Sequence, residues 1–115
     1  MGDLARNFSR SEFACHHCGQ LKRVDQVLVD VLQRVRTHVG KPLRIVSGYR
    51  CPEHNRNVGG SRTSQHLRAR AADVPGGYAE RRVWLDAGAT GLGIRDGRVV
   101  HVDTRRDVGV VVFPD

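Results

Sequence analysis

Gly91-Leu92-Gly93-Ile94-Arg95-Asp96-Gly97-Arg98-Val99-Val100-His101-Val102-Asp103-Thr104 is the stretch whose reading decides the fold. An Asp-Gly pair between two apolar runs is the strongest short-range hairpin signal, because both turn residues must take positive φ. The stretch therefore predicts two antiparallel strands, 91–95 and 98–104, joined at Asp96-Gly97. Side chains alternate along a strand, so His101 and Asp103 share one face and Val100 and Val102 the other. The valines anchor the strand, and the polar pair faces a cleft.

Working outward, residues 108–113 read as a last strand and Tyr78 to Ala87 as a helix with Tyr78, Val83, Trp84 and Ala87 on one side. Ala71-Ala72-Asp73-Val74 predicts a short buried strand, ended by Pro75-Gly76-Gly77. Its small alanines allow a close neighbour. Residues 48–64, rich in Gly, Asn, Arg and Ser, predict an ordered loop with at most one short helical turn. Leu43-Arg44-Ile45-Val46-Ser47 alternates and is β-branched, which predicts a strand. Asp25 caps a helix with apolar positions Val27, Leu28, Val31, Leu32, Val35 and Val39, stopped by Gly40 before Lys41-Pro42. Asn7-Phe8-Ser9-Arg10-Ser11-Glu12-Phe13 gives an N-terminal arm with two aromatic anchors. Helices outside a late run of strands predict an α+β fold, a mainly antiparallel sheet flanked by helices. At 115 residues the expectation is a single domain over 1–115.

The net charge of +7 points to an anionic partner, either nucleic acid or a polymer such as bacterial cell wall. The arginines are scattered from Arg6 to Arg106, and most read as solvated surface. Aromatics are only 5%, which argues against a base-stacking platform, and no recognition helix or RNA-binding motif stands out. No apolar run reaches transmembrane length, so stable membrane insertion is not expected. Met1 to Arg6 lacks the apolar core of a secretory signal. The expectation is a protein made in the cytoplasm that reaches an extracytoplasmic site by another route, as a phage or prophage product would, and acts as a monomer.

The chemistry lies in two segments, Ser64-Gln65-His66 to Asp73 and His101-Val102-Asp103. Two imidazoles and one carboxylate, without a fourth protein ligand, is the ligand count of a catalytic zinc site that keeps a position for water. Taken singly, either histidine reads as a surface or core residue, and Asp73 as a cap for Gly76-Gly77. Their joint occurrence points to a metal.

Ser47-Gly48-Tyr49-Arg50, Asn55, Val58-Gly59-Gly60, Ser64-Gln65-His66, Ala71, Asp73 and His101-Val102-Asp103 together resemble the zinc D-Ala-D-Ala carboxypeptidases and related peptidoglycan peptidases. That group includes small phage endolysins and shares a metal site and fold with the signalling domain of hedgehog proteins. The resemblance runs from about Phe8 to Arg105. It implies a zinc (Zn2+) peptidase acting on peptidoglycan stem peptides, as carboxypeptidase or endopeptidase. It implies His66, Asp73 and His101 as ligands, and Arg50 as the group that steadies the substrate carbonyl or carboxylate; a fold-stabilising ion pair is Arg50's other reading. Ser64 binds substrate, orients the His66 loop or serves only the turn, and Gln65 is equally open.

Two positions depart from the pattern. Ala69 replaces a glycine, which matters only if its backbone is left-handed. Arg98 stands where several branches carry an acidic general base. Asp103 is then the leading base and Asp96 the next, while Asp103 could instead orient His101 or pair with Arg50. The missing acid keeps a second function open: a non-catalytic zinc module that binds cell wall or a protein.

Cys15-His16-His17-Cys18 and Cys51-Pro52-Glu53-His54 carry the two-residue spacing of a zinc knuckle. Cys15, Cys18, Cys51 and His54 could close a structural zinc site. The alternatives are free thiols, or one disulfide and a leftover thiol.

Overall fold

The computed structural model describes residues 2–21, 23–106 and 109–115. Among these the helices are α1 (Gln26–Val39), α2 (Pro52–Asn57) and α3 (Arg81–Asp86). The strands are β1 (Ala71–Asp73), β2 (Gly91–Arg95), β3 (Arg98–Asp103) and β4 (Val111–Pro114). They form one sheet in the order β1-β3-β2-β4. β3 runs antiparallel to both neighbours, and β4 joins the outer side of β2 in parallel. The fold is thus α+β with a mostly antiparallel sheet. Among the described residues, no helix is long and apolar enough to cross a membrane.

The hairpin forms as its turn dictates, with φ of 53° at Asp96 and 76° at Gly97. One detail departs from strict alternation. Gly93 pairs with His101 but Ile94 pairs with Val99, so Val100 is an extra residue on β3. This bulge puts Val99, not Val100, beside Val102 in the core. Bulges re-aim side chains, and this one sits immediately before His101.

The core joins Phe8 and Phe13 of the N-terminal arm, the buried face of α1, Trp84 of α3, and Leu92, Val99 and Val102 of the sheet. In α1 the buried residues are Leu28, Val29, Val31, Leu32 and Val35, while Val27 is exposed. The buried arc centres on Leu32, and Val27 lies off its edge where Val29 does not. The helix ends at Gly40 as expected.

Residues 43–47 do not form the predicted strand. They bend at Val46 and make one bridge, Ser47 to Asp73. Pro42 has no N–H to give, and the Arg44 N–H donates to the Tyr78 hydroxyl at 3.0 Å, so no ladder extends along the segment. The helix predicted from Tyr78 is α3, which begins at Arg81, three residues later than the pattern predicts. The last strand covers 111–114, and Val108 lies outside the described residues.

Candidate metal centre

The end of β1, the middle of β3 and a short 3-10 turn (Gln65–Arg68) meet at one point. The turn carries His66, β1 ends on Asp73, and β3 presents His101 opposite Asp73 in the ladder. One ligand-type atom from each of the three lies within 4.8 Å of the other two. His66 Nε2 stands 3.2 Å from Asp73 Oδ1, and His101 Nδ1 stands 3.3 Å from the same oxygen.

The outer nitrogens fix which inner atoms are free. His66 Nδ1 lies 2.6 Å from the Gly48 carbonyl, which can only accept, so Nδ1 carries the proton and Nε2 offers a lone pair. His101 Nε2 donates to Asp103 Oδ2 at 2.8 Å, leaving Nδ1 bare. Two imidazole lone pairs and a carboxylate oxygen then converge with no proton of their own between them. Acceptors so placed repel unless a cation or an added proton lies among them. The donor set suits zinc, which takes imidazole and carboxylate ligands.

Asp73 is ionised in this setting. Burial opposes its charge, but the neighbouring His101 and His66 outweigh burial and hold it well below the ordinary carboxylate range. Asp103 is held low as well: burial again opposes, and Arg105 and His101 outweigh it.

Asp103 has a different environment from the open cleft face read from the strand's alternation. Its side chain is 0% exposed. Oδ1 accepts from Arg105 N at 3.2 Å and Nε at 2.8 Å, and Oδ2 accepts from Arg105 Nη2 at 2.6 Å besides His101. Gly91 makes room for this carboxylate, since a Cβ there would fall 2.1 Å from Oδ1. Asp96 sits in the exposed hairpin turn, outside the cleft.

A cleft of about 810 Å³ opens on the three converging atoms. Arg50, Ser64, Gln65, Arg95, Arg105, Phe113 and Asp115 are among the residues that line it. Arg50 Nη1 donates to Asn55 Oδ1 at 3.1 Å, and Nη2 lies 3.9 Å from Asp73 Oδ2. Arg50 Nε and Gln65 Oε1 are buried without a hydrogen-bond partner, so the wall holds an unmet donor and an unmet acceptor. Ser64 Oγ accepts from the His66 N–H at 3.2 Å and so shapes the ligand turn. Ala69, where the pattern carries glycine, does take the left-handed conformation, at φ 54°.

The sequence reading missed Phe113, Arg105 and Asp115. The Phe113 ring packs edge-on against His101 at 5.3 Å, and Arg105 lies over the Phe113 ring at 5.2 Å. The side chains of His101 and Asp115 both lie over Gly93. Alternation along β4 links Phe113 with Asp115, but only the parallel pairing with β2 brings them to the cleft.

A four-stranded sheet that gathers two imidazoles and a carboxylate at the floor of a cationic cleft has the make-up of a hydrolase domain. The Peptidase M15 family matches residues 6–103, most of the chain, and the chain belongs to that peptidase family. No curated protein matches it.

Proposed function

We propose that this protein is a zinc-dependent peptidase that hydrolyses amide bonds in peptidoglycan stem peptides. The observation that carries the reading is the convergence of His66 Nε2, Asp73 Oδ1 and His101 Nδ1, each fixed from behind or by charge. A zinc ion held there would polarise a carbonyl and supply a water acidic enough to attack near neutral pH.

The chain's own groups divide the remaining work. Arg50 directs donors into the cleft and suits a substrate carboxylate or a carbonyl oxygen gaining charge. Asp103 is the positioning residue for His101, since its oxygens are already occupied and buried. Among the described residues lining the cleft, the carboxylates are Asp73 and Asp115. With Asp73 at the metal, Asp115 is the group left to accept the water proton and return it to the leaving amine.

Stem peptides carry free carboxylates, which fits a cleft lined by Arg50, Arg95 and Arg105. The overall charge of +7 favours adsorption to anionic wall polymers, an effect that added salt weakens. The test is incubation of the zinc-loaded protein with purified peptidoglycan and with a stem pentapeptide, followed by mass spectrometry. Release of one alanine defines a carboxypeptidase, and cleavage of crosslinks or stems an endopeptidase. No product from either substrate, with zinc bound, would make the domain a binding module instead. Asp115→Asn should keep zinc and lose turnover.

A further inference from the structure

The first knuckle comes together with Cys51, which follows Arg50 and precedes α2. Cys15, Cys18 and Cys51 bring their Sγ atoms within 4.8 Å of one another. They come from segments 36 residues apart. The knuckle is closed by Cys15 N–H to the Gln20 carbonyl at 2.9 Å and Gly19 N–H to the Cys15 carbonyl at 2.8 Å. Two further backbone N–H groups point at sulfur: Cys51 N–H to Cys15 Sγ and His54 N–H to Cys51 Sγ, both 3.4 Å. Donors aimed at sulfur favour the thiolate, the form that binds metal.

An imidazole stands beside one of the three sulfurs. His17 Nδ1 lies 3.7 Å from Cys51 Sγ, and its Nε2 lies 3.9 Å from Glu53 Oε1, which orients the ring. Zn–S and Zn–N bonds of about 2.3 and 2.0 Å at tetrahedral angles put sulfur and nitrogen ~3.6 Å apart. The ring of His54, the fourth ligand expected from the C-x-x-H spacing, instead stacks on His17 at 6.0 Å and lines the cleft.

We propose that Cys15, Cys18, Cys51 and His17 hold a second, structural zinc ion that clamps the N-terminal arm to the loop carrying Arg50. Four protein ligands leave no position for a reacting water, which is the mark of a structural site. Arg50 is the neighbour of Cys51, and its own N–H donates to the His66 carbonyl at 3.1 Å. The clamp therefore fixes the cleft arginine from one side and the ligand turn from the other, a staple suited to a small domain.

The test uses the full chain purified under reducing conditions. Metal analysis should give two zinc equivalents, falling to one in Cys18→Ser, whose side chain is exposed. His66→Ala should lose the other equivalent, which separates this site from the cleft. Cobalt-loaded wild type and His66→Ala should both show sulfur-to-cobalt charge-transfer absorption, and Cys18→Ser should not. His17→Ala should weaken this site against a chelator, while His54→Ala leaves it unchanged. Absence of the sulfur band in reduced wild-type protein, unchanged zinc content in Cys18→Ser, or a disulfide between any two of the cysteines would overturn the proposal. The opposite result for the two histidine variants would overturn the place of His17.

Discussion

Asp103→Asn separates a carboxylate that positions a metal ligand from one that handles protons. The carboxylate receives four hydrogen bonds, two at each oxygen. An amide keeps one oxygen and replaces the other with an N–H donor. If the amide nitrogen takes the Oδ1 place, Arg105 N and Nε lose their acceptor. If it takes the Oδ2 place, His101 Nε2 and Arg105 Nη2 lose theirs. Either way two buried donors face a third, and each unmet donor costs about 1–3 kcal/mol. Folding stability should fall by about 2–6 kcal/mol. Loosening a group that orients a metal-binding histidine weakens metal affinity by about 10–100-fold. Zinc competition against a chromophoric chelator, a thermal melt and turnover at saturating zinc measure the three effects. Positioning predicts weaker zinc, a lower Tm and turnover largely restored by excess metal. Unchanged zinc affinity with turnover abolished at every zinc concentration would refute this reasoning and return Asp103 to the role of base.

Further outcomes follow from the same geometry. Without metal, the folded-state pKa of His101 stands at about 8 against an ordinary 6.5; burial lowers it, and bonds to Asp103 and Asp73 raise it by more. A raised imidazole pKa stabilises fully below 6.5 and loses its contribution as pH climbs through 8. The metal-free protein should therefore lose on the order of 2 kcal/mol across that window, read by denaturant melts. Zinc affinity should rise about tenfold per pH unit over the same window, because the ion displaces that proton. Gly91→Ala should drive the Asp103 carboxylate out of place and cost about 2–4 kcal/mol, with zinc affinity falling alongside. Ala69→Gly relieves a left-handed alanine, a strain of about 1–2 kcal/mol, against a larger entropy loss for glycine, so its Tm should stay equal or rise slightly. A Tm drop of several degrees would contradict that conformation.

Local chemistry made part of this molecule readable in advance. Asp96-Gly97 admits few backbones other than a hairpin, and the apolar spacing of α1 admits few other than a helix. Residues 43–47 carry a strand's composition, yet Pro42 and the Tyr78 hydroxyl decide that they pair only once. No local pattern foretells that β4 runs parallel on the far edge of β2, and Asp115 at the cleft follows from that pairing alone. Alternation set His101 and Asp103 on one side of β3. Whether that side opens on solvent or on Arg105 depends on a bulge and on the chain beyond the strand. The three residues proposed as metal ligands were legible because their types and motif context match a peptidase family, which residues 6–103 also match.

The most direct measurement is a zinc-edge anomalous difference map from crystals grown with zinc. A peak is predicted within bonding distance of His66 Nε2, Asp73 Oδ1 and His101 Nδ1 together, about 2.0–2.2 Å from each. A map with no peak among these three atoms, or with the ion held through Asp103 instead of Asp73, would contradict the proposed chemistry.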